Sequence, residues 1–264
     1  MDITPPYGYD EIVPLQKNFR VLLPAQGATP MFCRTLNAMA LSYSEFTVAA
    51  RDYPVVFATL DQGKSFAPVA VLGLQDGQNL FVSAAGDWSH DSYVPAFVRR
   101  YPFCISKLYV DGEAKTEKVV CIAKDYVDVG GIALYESDGR ATKQWEVKER
   151  LLQDYETDLD LTAQMCAIFA KLELLVPFTM QVMENSAPAL ELKGMYRIDE
   201  ARFTDLKPTH HKALVTKGLM GKVYAHLHSL ENFGRLYNKA VALSAATTLV
   251  AKSRTSRGSS AISS

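Results

Sequence analysis

Two rhythms of apolar and polar positions divide this chain. Between residues 54 and 83 the apolar residues come in short runs: Pro54–Leu60, Pro68–Leu74 and Asn79–Ser83. Asp61-Gln62-Gly63-Lys64 and Gln75-Asp76-Gly77-Gln78 separate them, and Asp-Gly between apolar runs is a hairpin signal. The pattern predicts a three-stranded antiparallel meander with one face buried. Ile105–Val110 and Lys118–Ala123 read as two further strands around Asp111-Gly112. From Thr142 the rhythm lengthens. Leu161, Met165, Ile168, Leu172 and Leu175 fall on one helical face, leaving Lys148, Glu149, Arg150, Asp154 and Glu156 to face water. Pro177 is expected to end this helix, because the residue before a proline resists the α region. It is either one long helix or two with a bend near Asp158–Asp160. Phe178–Met183 and Leu190–Ile198 predict a second pair of strands. Asp205–Val250 predicts helices broken or bent at Gly218, with Leu219, Val223, Leu227, Leu230 and Leu236 inward.

The remaining segments are shorter. Residues 1–35 read as an extended N-terminal arm or edge strand. Residues 42–52 predict a short helix capped by Ser42 or Ser44, and Tyr93–Arg100 predicts another. Residues 124–140 form a connection containing Gly and Asp, and the Ser-rich tail 253–264 is expected to be disordered. The succession of β-rich block, helix, short β block and helix gives the α+β class. The expected architecture is a mostly antiparallel sheet packed against a long central helix and a C-terminal helical segment, as a single domain over residues 1–252.

Charge and cysteine content narrow the partners. A formal net charge of -1 gives no reason to expect nucleic acid or an acidic membrane surface. Cys33, Cys104, Cys121 and Cys166 stand singly among apolar residues without CxxC spacing. They read as buried thiols of a reducing compartment, or as two disulfides if the protein is exported. No Cys/His cluster has the spacing of a zinc site, so no metal is expected. The start of the chain lacks a basic region followed by an apolar one. No apolar run reaches the roughly 18 to 20 residues of a membrane-spanning helix. The expectation is a cytoplasmic protein with no transmembrane segment, with surface association by a signal-independent route left open. No Gly-rich loop leads from a strand into a helix, and no cofactor is expected.

The densest chemistry is Tyr93-Val94-Pro95-Ala96-Phe97-Val98-Arg99-Arg100-Tyr101-Pro102-Phe103. If Val94, Phe97 and Val98 face the core, Arg99 or Arg100 is partly buried and must find a carboxylate or carbonyls. The arginine pair is then either a structural ion pair or a fork for a carboxylate or phosphate. Trp88, in the turn Gly86-Asp87-Trp88-Ser89-His90, either lids a small core or floors a pocket. Among the histidines, His210 and His211 point to different faces, and His226 and His228 stand roughly 200° apart on a helix and cannot share a metal. His226, near Glu231, Asn232 and Arg235, reads as a solvated or capping residue or as part of a polar cluster. Asp158 and Asp160 read as solvated or capping. No nucleophile motif or spaced acid–base pair is present. The candidate ligand-binding residues are therefore Trp88, Tyr93, Arg99, Arg100, His226 and Asn232, and no catalytic residue is named.

Several segments together resemble a known family. They are Tyr9–Leu15, Arg51–Phe57, Val69–Leu74, Asn79–Val82, Trp88, Tyr93–Phe103 and Val223–Asn232, spanning roughly residues 9–240. With them the chain resembles the bacterial SapC family. The resemblance implies one soluble domain and a non-catalytic binding or accessory role linked to surface-layer or cell-envelope assembly, with proteins of the surface layer or envelope as partners. The alternative it implies is an enzyme, or the partner of a flavin-dependent halogenase-like enzyme, with a small-molecule or peptide pocket near Trp88, Arg99 and Arg100. It supplies no catalytic residues.

Overall fold

The computed structural model describes residues 3–25, 27–59, 61–110, 113–184 and 187–259. It is an α+β protein with antiparallel sheets, a long central helix and a C-terminal helix. In chain order the elements begin with β1 (Ile12–Pro14), β2 (Arg20–Val21) and β3 (Ala38–Ala40). They continue through α1 (Phe46–Ala49), β4 (Val55–Ala58), β5 (Ala67–Val71) and α2 (Ala96–Arg99). Next are β6 (Phe103–Val110), β7 (Glu113–Ala123), β8 (Ile132–Ala133), the long helix α3 (Lys143–Lys171), β9 (Leu175–Glu184) and β10 (Ala187–Ile198). Last come α4 (Glu200–Thr204), α5 (Pro208–Thr216), α6 (Met220–Ser229) and α7 (Asn232–Ser259).

The strands form a five-stranded sheet in the order β3-β5-β4-β10-β9, a three-stranded sheet β1-β7-β6 and a two-stranded pair β2-β8. The expected meander is realised only in its first two strands. Ala38–Ala40 lies along the free edge of β5, with Met39 opposite Ala70, where a third strand would have paired. The segment 79–83 folds on itself instead. The Asn79 side chain donates to the Cys33 carbonyl and accepts from Phe81 N–H, Leu80 N–H donates to the Leu72 carbonyl just past β5, and Val82 forms a bridge with Trp88. A polar side chain that bonds its own neighbourhood competes with a sheet ladder, which explains the loss of this strand. The second strand pair expected from the sequence joins the same large sheet through Tyr196 opposite Phe57. Leu60 and the Asp111-Gly112 turn lie outside the described residues.

Helix α3 is continuous, without the bend that Asp158–Asp160 suggested. The Thr142 hydroxyl caps it by accepting from Trp145 N–H at 3.3 Å. Its buried residues run Trp145, Leu152, Tyr155, Thr162, Met165, Cys166 and Phe169. They recur at steps of three and seven residues, with Cys166 beside Met165, which keeps them on one helical face, and full burial of each large apolar side chain contributes about 1.5–3 kcal/mol. Trp145 and Leu152 pack with Val21, Phe103, Ile122 and Leu134 over the small sheets. Met165, Cys166 and Phe169 pack into the main core on the large sheet. Leu161, placed on the buried face by its spacing, is in fact exposed, because the seam drifts toward Thr162. The helix stops at Lys171, before Pro177: Glu173 takes a left-handed φ of 54°, and Pro177 lies within β9 opposite Tyr196.

The C-terminal helices follow the expected break. Gly218 takes φ +69° between α5 and α6, a conformation costly for residues with a Cβ. Leu219, Val223 and Leu236 are buried as expected. Helix α7 extends through Ser259 into the segment read as a disordered tail, and 260–264 lie outside the described residues. The arm packs by backbone: β1 pairs with β7 and β2 with β8. Gly131 makes the second pairing possible, since a Cβ there would meet the Val21 backbone at 2.4 Å. No helix among the described residues is long and apolar enough to cross a membrane.

His226 overturns the solvated reading. It is fully buried on α6, its ring beside Phe57. Its Nε2 accepts from Ile198 N–H at 2.9 Å, so Nδ1 carries the proton and donates to the Val55 carbonyl at 2.8 Å. The ring thus ties β4 to β10, which share a single residue pair. The sequence could not show this, because His226's partners are backbone groups 28 and 171 residues away.

Two outcomes follow from these contacts. Burial, helped by Arg197, pushes the His226 imidazole down to about 4. An unfolded histidine titrates near 6.5, so the unfolded chain binds the extra proton first. Stability should be constant above pH 6.5 and fall by about 2–3 kcal/mol as pH drops from about 6.5 toward 4. Urea denaturation across that range should show this slope. His226→Leu should remove that component of the slope and unfold more readily at pH 7, with the Val55 and Ile198 backbone groups left unpaired. Separately, Gly131→Ala should lower stability by about 1–3 kcal/mol through the forced backbone shift, read as a lower midpoint in thermal circular dichroism.

Candidate functional site

Helix α2 is flanked by two prolines, Pro95 and Pro102, and held at its start by a carboxylate. Pro95 stands at its N-cap with φ -59° and ψ 150°, and the Ala96 N–H behind it donates to the Glu45 carboxylate in a short hydrogen bond. Glu45 is buried and accepts three further hydrogen bonds: from the Tyr93 hydroxyl at 3.1 Å, Ser42 N–H at 3.1 Å and the Ser42 hydroxyl at 2.7 Å. A carboxylate at the first turn of a helix, with four donors, is a well-compensated buried charge. Ser42 and Ser44 therefore do not cap α1, as the sequence suggested. Their hydroxyls reach Asp158 of α3 at 3.1 and 2.8 Å, binding the segment before α1 to the long helix.

Tyr93 relays this network to the surface. Its N–H donates to Asp52 at 2.8 Å and its carbonyl accepts from the Tyr53 hydroxyl. Its hydroxyl accepts from the Arg99 guanidinium at 2.7 Å while donating to Glu45. Burial, with Glu45 beside it, pushes the Tyr93 phenol up to about 12, so it stays protonated at neutral pH. Arg99 is exposed. Its Nε donates to the Val94 carbonyl at 2.9 Å, and its guanidinium carbon lies 5.5 Å from the Tyr93 ring centroid.

Two depressions meet at Arg99. One, of about 420 Å³, is walled by Ser42, Glu45, Tyr93, Tyr155 and Asp158. Of its polar groups, Ser42, Glu45, Tyr93 and Asp158 are already bonded in the network just described. The other, of about 700 Å³, is a cleft between the arm segment Leu23–Thr29, α2 and the first half of α3. Leu23, Val94, Val98, Val147 and Leu151 give it apolar walls, and Arg99, Lys148 and Arg150 give it cations, with Asp154 at the edge. Lys148 donates to the Arg99 carbonyl at 3.1 Å. Burial, and then the Arg99 charge, hold its ammonium below the usual lysine range. The Thr29 hydroxyl on the arm side is buried without a hydrogen-bond partner.

The arginine pair divides. No carboxylate lies within ion-pair distance of Arg99 or Arg100 among the described residues, so the expected structural ion pair is replaced by rings. Arg100 is 5% exposed. Its guanidinium carbon is 4.6 Å from the Phe97 centroid and 4.8 Å from that of Tyr155, and its Nε has no partner. A flat, weakly hydrated guanidinium tolerates such stacking where an ammonium would not.

Of the six residues singled out in the sequence, the structure brings Tyr93 and Arg99 to the clefts and sets Arg100 just behind them. The other three serve the core. Trp88 is buried and donates from Nε1 to the Tyr53 hydroxyl at 3.1 Å. Asn232 donates to the Ala50 and Tyr53 carbonyls, both at 3.0 Å. His226 ties the sheet. Sequence reading missed Glu45 and Lys148. Glu45 had a signal, since Ser42-x-x-Glu45 is the spacing of a capping box. Lys148 had none, being one charge among many on a helix face. Among the described residues, no three His, Cys, Asp or Glu side chains stand together as they would around a metal ion.

A search of curated proteins and a search of solved structures each gave no match. The family model described as SapC matches residues 17–236, a span that holds the long helix, both larger sheets but for β1, and the residues around Arg99; the chain belongs to the SapC family.

Proposed function

We propose that this protein is a non-catalytic binding protein, accessory to cell-envelope or surface-layer assembly, that holds an amphipathic anion in the cleft beside Arg99. The observation that carries the reading is the lining of that cleft: Leu23, Val94, Val98, Val147 and Leu151 beside three cations in about 700 Å³, with Lys148 bonded to the Arg99 carbonyl and Asp154 facing Arg150. Apolar walls with a few convergent charges are the usual form of a small-ligand site. An apolar body carrying a carboxylate, sulfonate or phosphate matches both features. The polar groups next door support binding rather than proton transfer. Glu45 and Asp158 are spent on internal donors, and Tyr93 keeps its proton at neutral pH. The envelope link and the envelope partners come from family membership, as does the alternative of a halogenase-like partner, and the cleft is where such a partner's product or peptide would dock.

The fluorescent anion 8-anilinonaphthalene-1-sulfonate tests the site. It should bind the full chain. Arg99→Ala and Lys148→Ala should each weaken binding about tenfold, the factor a hydrogen bond to a charged group supplies. Arg140→Ala, an exposed arginine paired with Asp138 away from the cleft, should bind as the parent does. Equal affinity across all the variants, at unchanged thermal midpoints, would place the ligand elsewhere.

A further inference from the structure

Cys104 on β6 and Cys121 on β7 stand directly opposite each other in the antiparallel register. Their side chains therefore share one face of the three-stranded sheet, in a small cluster with Tyr9, Ile12 and Ala123. Opposed residues of an antiparallel pair lie about 4.5 or 5.5 Å apart at Cα. Both spacings fall inside the roughly 4.4–6.8 Å that a disulfide bridges without moving the backbone. All four cysteines are free thiols, and Cys33 and Cys166 lie in a different cluster. Arg100 adds a second, independent observation. It is a buried cation with no carboxylate within ion-pair distance among the described residues and an unpartnered Nε; the Cys121 contact and burial push the Cys104 thiol up, and the Arg100 charge opposes them.

We infer that Cys104 and Cys121 form a reversible dithiol–disulfide site on this face of the sheet, beside the buried Arg100 guanidinium. The inference stands apart from the ligand of the cleft. Hydrogen bonding from Cys104 holds the Cys121 thiol below its ordinary range, which makes Cys121 the attacking sulfur. The oxidant is a small-molecule disulfide. The Cys121 thiolate attacks one of its sulfurs, the S–S bond breaks, and one thiolate leaves, giving a mixed disulfide. Cys104 then loses its proton and attacks Cys121 Sγ, expelling the second thiolate. The pair gives up two electrons and two protons, and the oxidant becomes two thiols. Access requires opening of the cover. Part of that cover is β1, a three-residue strand at the edge of the sheet, and short edge elements with few residue pairs open at low cost.

The test equilibrates the full chain in buffers of rising oxidised-to-reduced glutathione ratio, counts thiols after denaturation, and maps the linked peptides. The thiol count should fall from the four of the reduced chain to two, with Cys104 joined to Cys121, and dithiothreitol should restore it. Cys121→Ser should form no internal disulfide over the same range. Four thiols persisting at every ratio, or a linkage to Cys33 or Cys166, would overturn the inference. Should Cys121→Ser fail to fold, the mapped linkage in the parent chain decides alone.

Discussion

The structure depends on one helix serving two cores. α3 carries a single apolar seam, but its ends press on different sheets: Trp145 and Leu152 on the small one, Met165 and Phe169 on the large one. Neither sheet closes its own apolar face. The three-stranded sheet has only three strands and a short edge, and small sheets need a packed layer to be stable. With the seam continuous, the two sheets are held at a fixed separation, and the space between them along α3 is where α2 and the arm are laid. The clefts are a product of that spacing. The larger one runs along the first half of α3, on the side turned away from Trp145 and Leu152.

The polar seam around α2 follows from the same arrangement. Where a helix of four residues must be held between larger bodies, its own ladder supplies little, and its first N–H groups need partners. Glu45 and the Lys148 ammonium take the two ends, one at Ala96 N–H and one at the Arg99 carbonyl. This is the charge order that the helix dipole favours. Arg99 and Arg100 then differ only by position. One is turned outward onto Tyr93, and the other is pressed between Phe97 and Tyr155.

Much of the fold was legible from periodicity, because α3, the β6–β7 pair and the β9–β10 pair are long enough for their patterns to decide. Three kinds of information were not. The replacement of Asn79–Ser83 by Ala38–Ala40 at the edge of β5 is a choice between distant segments, which no local pattern encodes. The role of His226 rests on backbone partners across the fold. The composition of the cleft required knowing that Leu23 and Val147, far apart in sequence, face each other. Tyr93 and Arg99 were found because aromatic and cationic residues crowded into one short segment are unusual; Lys148 was not, because a lysine on a helix face is not.

The arm has a property of its own. It is fastened at β2 by main-chain pairing, by the buried Val21 side chain, by Arg20 Nε on the Gly131 carbonyl and by the missing Cβ of Gly131. Further on, Leu23, Pro24, Ala25, Gly27, Ala28 and Thr29 border the cleft without taking part in the β2–β8 pairing. Substitutions there can change the shape and polarity of one wall while the fastening stays as it is. The cleft therefore has one wall built by the helices α2 and α3 and another built by an extended segment. Substitutions on the extended wall reshape the cleft at little cost to the β2–β8 pairing.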